Sequence, residues 1–385
     1  MSQRIGKGLV VNGQTIVEQA AWNAELEAKH QKLVEWIRAQ HVAGVLIRRN
    51  ENVAWITGGA VELRVLTPAE TGVASLLVTA EGRRYYFTTE NEAPRLHDEE
   101  FGALDFEPVV FPWYGDETAT AAAKLAGGPL ASDTPLAGAE PANLFPLRAA
   151  LSESEIARYK WLGTQTAAAT VESLRKVEPG MTEYDLEALT AANLLKRGIL
   201  PSVYLYAADE RVYKYKHAVA RGATVKNYAM LNLCSRKWGL AISITRFVHF
   251  GKLPDELGAR FKSAAQVNAA LLDATKPGAT SAELFKVAQQ AYAAEGFPGE
   301  ERLHHQGGPT GYGERVWVAT PNGTEVVVDN QAFAWNPSIR GGKAEDTVIL
   351  HNGKIEWLTA TPELPVIEAS LNGKAYPAAG VLTRG

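Results

Sequence analysis

The stretch Pro179-Gly180-Met181-Thr182, followed by Leu186 and Gly198, recurs as Pro277-Gly278-Ala279-Thr280 with Leu284 and Gly296, every interval identical. In each copy a Pro-Gly pair ends one helix, a threonine caps the next, and a glycine closes it sixteen residues later. Chance is the competing account, because Pro-Gly before a helix is common, but the matched intervals favour duplication. Two copies of an α-α-β unit pack as pseudo-symmetric halves with a cleft between them.

Upstream of the first copy the signals change. Ala21 to Gln40 has Leu26, His30, Leu33 and Ile37 near helical spacing, and the strand-like run VAGVLIRR follows it. Two more strand-like runs, ASLLVTA and RRYYFTT, flank the turn signal Glu81-Gly82, and Pro, Gly and Ala dominate from Pro129 to Pro146. Ser152 and Glu155 then form a capping-box pattern that opens a helix running to about Val177. The predicted organisation is therefore α/β (α+β) in two domains, residues 1–150 and 151–385. A composition of 46% hydrophobic and 21% charged residues supports two cores.

The formal net charge of -4, with no long Lys/Arg block, leaves no electrostatic footprint for nucleic acid or an anionic membrane. A single cysteine, Cys234, cannot form an internal disulfide and reads as a buried, inert thiol. The first twenty-odd residues lack an apolar run of signal-peptide length, so the cytoplasm is the expected location.

The stretch Met230 to Gly251, MLNLCSRKWGLAISITRFVHFG, resembles the strand-turn-strand of the pita-bread hydrolases, the clan of methionine aminopeptidase, prolidase, aminopeptidase P and creatinase. Asn50 to Gly59, NENVAWITGG, resembles a segment of the creatinase-type amino-terminal domain. The resemblance implies a creatinase/prolidase-type amino-terminal α/β domain followed by a pseudo-symmetric pita-bread domain. It also implies where metal ligands belong. The family's Asp, Asp, His, Glu and Glu fall on Asn232, Ser243, Gly308 in GGPTG, Asn336 in WNPS, and Glu345 in the intact Glu345-Asp346-Thr347. One carboxylate would then face a cation load of about four charges, and desolvating those cations costs several kcal/mol each. No metal and no other cofactor is expected.

Without a metal, hydrolysis near neutral pH needs an imidazole. His217 resembles the family position where the peptidases have a substrate-serving histidine and creatinase its catalytic one; a structural histidine is the alternative. His304 and His305 are adjacent, so on a strand at most one enters the cleft. Arg315 could fork a substrate carboxylate, or form a surface ion pair beside Glu314. Arg64 follows the landmark after which creatinase carries an active-site arginine; a solvated loop residue is the alternative. Backbone amides from Gly307 to Gly311 are candidate oxyanion donors.

These readings point to a metal-independent hydrolase of a C–N bond in a small polar molecule. His217 would act as general acid/base and Glu345 would orient a cationic substrate group. Asn232, Ser243, Asn336, His304, His305, and Arg315 or Arg64 would bind the substrate. A homodimer is expected from the resemblance. The alternatives are a metal-dependent Xaa-Pro aminopeptidase or prolidase-like peptidase with an atypical site, and an inactive binding module on the same fold.

Overall fold

The computed structural model describes residues 8–67 and 69–385; residues 1–7, part of the segment expected to lack a signal sequence, lie outside them. The chain divides into two compact units, Met1–Arg158 and Tyr159–Gly385, and the division falls within the helix Glu153–Lys176.

In the first unit the strand Gly44–Arg49 begins with a continuous apolar run because it lies inside a sheet, with Val45, Leu46 and Ile47 buried. The six strands run in the order Glu107–Phe111, Arg84–Thr89, Thr71–Thr79, Gly44–Arg49, Leu130–Ser132, Ala139–Pro141. Leu46, Leu77, Tyr85, Phe87, Phe111 and Leu130 form one core of this sheet. The expected helix spans Gln19–Ala39, but its inward face is not purely apolar. It buries Trp22, Glu25, Lys29, His30, Leu33 and Ile37, while Leu26 is only partly covered.

The charged positions are paired. Glu25 accepts from Lys29 Nζ at 2.5 Å and from Arg158 Nη1 and Nη2 at 2.8 and 2.6 Å, and Lys29 also donates to Glu155 at 2.8 Å. Glu155 completes the expected capping box, accepting from the Ser152 amide at 2.7 Å while its own amide donates to Ser152 Oγ at 3.2 Å. Burial alone would raise the Glu155 pKa, but the cations of Lys29 and Arg158 bring it down to about 2.

The second unit carries the duplication in three dimensions. Thr182 and Thr280 each close a capping box, with Asp185 and Glu283 as the reciprocal partners. Gly180 and Gly278 sit at φ +97° and +92°, where a side chain would be strained. Their amides donate at 2.9 Å to the carbonyls of Val225 and Val327 respectively. After each helix pair comes an antiparallel meander, Leu200–Ala208, Tyr228–Lys237, Leu240–Phe250 in the first copy and Gly307–Thr310, Gln331–Trp335, Asp346–His351 in the second.

The two meanders are fastened edge to edge. The Ser243 amide donates to Thr347 Oγ1 at 2.9 Å, and that hydroxyl donates back to the Ser243 carbonyl at 2.8 Å. Arg246, 1% exposed, pairs with Asp346 at 2.6 Å and donates from Nε to Thr361 Oγ1 at 2.9 Å. Thr245-Arg246 and Asp346-Thr347, within the segments that carry the resemblance, thus form the joint between the halves.

Candidate active site

Antiparallel register sets Met230 opposite Phe247, Asn232 opposite Thr245 and Cys234 opposite Ser243. The two-residue period of a strand puts all six on one face. At its middle, Asn232 Nδ2 donates to Thr245 Oγ1 at 2.6 Å and to Glu345 Oε2 at 2.7 Å, and Thr245 Oγ1 donates to the same oxygen at 2.5 Å. Lys343 Nζ lies 3.0 Å from Oε2. Arg315 reaches Oε1 with Nη2 at 3.0 Å and Ser243 Oγ with Nη1 at 2.8 Å. Burial by itself would raise the Glu345 pKa; the ammonium and guanidinium beside it lower it to about 2.

The role expected for Glu345 is to orient a cationic substrate group; here both of its oxygens accept from protein donors, and the cations they meet are Lys343 and Arg315. Of the remaining family ligand positions, Asn336 is buried with an Oδ1 that has no hydrogen-bond partner among the described residues. Gly308 leaves no room for an imidazole, because a Cβ there would lie 2.2 Å from the Trp317 carbonyl oxygen.

The amides of Gly307 and Gly311 are not open donors either. They donate to His305 Nδ1 at 3.2 Å and to the Gly313 carbonyl at 3.1 Å. Those two amides are therefore spent on protein acceptors. Cys234 is buried 3.1 Å from Ser243 Oγ, and burial pushes its thiol up to about 11, in keeping with an inert residue.

His304 and His305 do not face opposite ways. They lie in a bend after the short turn Glu300–Arg302 and before the strand begins at Gly307, so strand alternation does not apply. Their rings stack at 4.3 Å, and His304 Nε2 lies 2.7 Å from Nε2 of His217, whose own loop follows the helix Glu210–Lys214. His304 Nδ1 is 2.5 Å from the His305 carbonyl; since that oxygen only accepts, Nδ1 carries the proton and Nε2 a bare lone pair. All three pKa values are lowered, first by burial and then by a neighbouring positive charge, Lys343 for His217 and His304 and Arg315 for His305, to about 3 for His304 and about 4 for His305. The cluster is neutral at pH 7.

A cavity of about 440 Å³ opens beside this cluster, lined by Met230, Phe247, Lys343, Lys216, Tyr213 and Ser338 among others. Lys343 joins it to the Glu345 centre. Its Nζ bonds the carboxylate, and the same side chain forms part of the cavity wall.

The structure thus brings Asn232, Ser243, Arg315 and Glu345 into one bonded set and His217, His304 and His305 into another. Arg315 does not pair with Glu314, which is held by Arg236 at 2.8 Å. Arg64 belongs to the first unit, where its guanidinium pairs with Glu62 at 2.7 Å. Lys343 was missed in the sequence. Its one signal is position, two residues before Glu345 in an extended chain and so on the same side.

Among the described residues, no helix is long and apolar enough to cross a membrane. Comparison with known proteins matches residues 159–353 to the model of metallopeptidase family M24 and residues 29–177 to the creatinase/prolidase N-terminal domain. A curated Xaa-Pro dipeptidase from Lactobacillus delbrueckii subsp. lactis is 23% identical over 231 residues, which cover 56% of this chain and 62% of that protein. The chain thus spans under two thirds of the length of the curated relative it matches. Dipeptidase PepE from Mycobacterium ulcerans superposes with a TM-score of 0.73 at 16% identity, covering 94% of this chain and 99% of that one. The prolidase from Pyrococcus horikoshii OT3 gives 0.72 at 20% identity, with 87% and 98% covered. The N-terminal domain of a FACT complex subunit from Cicer arietinum shares the fold at 0.64 and 12% identity, with 87% and 96% covered.

Proposed function

The chain belongs to metallopeptidase family M24, and from that premise we propose that it is a hydrolase cleaving a C–N bond of a small polar substrate without metal ions at the Glu345 centre. One observation carries this reading: Glu345 is neutralised by Lys343 and Arg315, both at 3.0 Å. Two dications in oxygen-rich coordination need several anionic ligands. The five family positions here supply one carboxylate, and its oxygens face an ammonium and a guanidinium. The residues do not fit a binuclear centre.

The proton handling falls to His217. Neutral at pH 7, it takes a proton from water as the oxygen adds to the substrate's carbonyl or amidine carbon, and returns it to the leaving nitrogen as the C–N bond breaks. His304, 2.7 Å away, accepts at its bare Nε2 from His217 Nε2–H and fixes its orientation. Lys343 and Arg315 face the developing negative oxygen or a substrate carboxylate. The Oδ1 of Asn336, without a partner among the described residues, accepts from a substrate N–H, while Ser243 Oγ accepts from Arg315 and Asn232 donates to Glu345. His305 packs against His304. Arg64, paired with Glu62, is given no part. The reading includes a small-molecule substrate, a homodimer and a cytoplasmic location, without nucleic-acid or membrane partners.

The test is turnover by protein stripped with a chelator, assayed against Xaa-Pro dipeptides, small amides and guanidino compounds. Turnover that survives chelation and falls about 10²–10⁴-fold in His217→Ala supports the reading. Turnover that returns only with added Mn²⁺ or Zn²⁺ supports a second one, a metal-dependent Xaa-Pro peptidase, which is favoured by the name of the Lactobacillus relative. Ligand binding with no turnover in either state would make the protein a binding module, the alternative consistent with its structural likeness to a FACT subunit.

A further inference from the structure

We propose that His217, His304 and His305 form a mononuclear site for a nitrogen-preferring divalent ion of the Zn²⁺ or Co²⁺ type, separate from the positions that carry metal ligands in the family. The three side chains come from two loops, and one ligating atom from each lies within 4.8 Å of the others. His304 is already set as a ligand. Its Nδ1–H is anchored on the His305 carbonyl, the outer-shell bond typical of metal-binding histidine, and its bare Nε2 points at His217 Nε2.

Tetrahedral coordination with metal–nitrogen bonds of about 2.0–2.1 Å separates ligand atoms by roughly 3.3 Å. The 2.7 Å contact between His217 and His304 must therefore open by about 0.6 Å, a small rotation for His217, which is exposed. His305 contributes at the cost of one long hydrogen bond, the 3.2 Å bond from the Gly307 amide to its Nδ1. The fourth position is open to water or to an anionic ligand.

The neighbouring charges select the ion. Lys343 and Arg315 repel a dication, and Glu345 offsets only part of that, so ions that depend on anionic oxygens are disfavoured. Mg²⁺, Ca²⁺ and Mn²⁺ fall in that group, whereas neutral imidazole suits Zn²⁺, Co²⁺, Ni²⁺ and Cu²⁺. A bound ion would also occupy the lone pair of His217. On the hydrolase reading, such an ion inhibits rather than activates; the binding itself does not depend on that reading.

The experiment is titration of the chelator-treated, full-length protein with Co²⁺, followed by its visible d–d absorption and by equilibrium dialysis, with Mg²⁺ and Mn²⁺ as competitors. The expected result is one Co²⁺ per chain with a tetrahedral spectrum, displaced by Zn²⁺ and not by Mg²⁺ or Mn²⁺. His304→Ala should weaken binding at least about 100-fold, the upper end for losing even an outer-shell partner. His217→Ala, a change on an exposed loop that does not threaten folding, should do the same. Glu345→Gln, which removes the negative charge that offsets Lys343 and Arg315, should weaken binding far less than either histidine change. Absence of stoichiometric Co²⁺, or binding that survives both histidine changes and disappears in Glu345→Gln, overturns the proposal. Turnover of the chelated protein is read separately: Co²⁺ binding without any turnover defeats the hydrolase reading alone, and turnover without Co²⁺ binding defeats this inference alone.

Discussion

Each unit of the molecule buries an ionic cluster, and the two are built to different balances. In the first unit Glu25 and Glu155 face Lys29 and Arg158, two carboxylates against two cations. In the second, Glu345 alone faces Lys343 and Arg315. In the first set the charges pair with one another, and removing one member of a buried set of this kind is costly. The second carries one positive charge in excess, and on the proposed reading a ligand with a negative group completes it.

The largest expected effect is on the balanced set. Glu25→Gln leaves Lys29 and Arg158 with one shared carboxylate and should cost about 3–5 kcal/mol in urea denaturation. A loss below about 1 kcal/mol would mean the set is not the closed network described here.

Acid should expose both clusters together. Glu155 and Glu345 have folded pKa values of about 2 against an ordinary 4.5, so their stabilisation is fully present above pH 4.5 and is lost as pH falls through about 2. Each contributes on the order of 3 kcal/mol. Denaturation midpoints measured from pH 7 to pH 2 should stay high near pH 5 and decline steadily below it.

Removing one cation from each cluster is the sharpest contrast. Lys29→Met strips a buried bridge between two carboxylates and should cost about 3 kcal/mol or more. Lys343→Met leaves Glu345 with Arg315, Asn232 and Thr245, relieves the repulsion between two cations, and should cost less than Lys29→Met. Equal losses would erase the distinction.

The smallest effect is the most specific. Acetate at several times its dissociation constant should raise the melting temperature of the native protein by the equivalent of about 1 kcal/mol, and by much less in Lys343→Met. An equal rise in both would place the anion elsewhere.

The duplicated Pro-Gly-x-Thr units, the capping box at Ser152 and the apolar run of Gly44–Arg49 were legible in the chain because helix breaks, caps and apolar periodicity act over a few residues. Resemblance at Met230–Gly251 and Glu345–Thr347 carried the fold further, and it brought Asn232, Ser243, Arg315 and Glu345 into view as candidates. What the chain could not disclose was which partner each charge would meet. Glu25 and Arg158 are 133 residues apart, and Asn232 and Glu345 are 113 apart. The turn of the Gln19–Ala39 helix that buries Glu25 in preference to Leu26 follows from that distant guanidinium, and the shared direction of His304 and His305 follows from a bend where a strand was expected. Local backbone preferences are written in adjacent residues. The strength of a charge pair depends on the dielectric around it, and that exists only once both sheets have closed over Glu345.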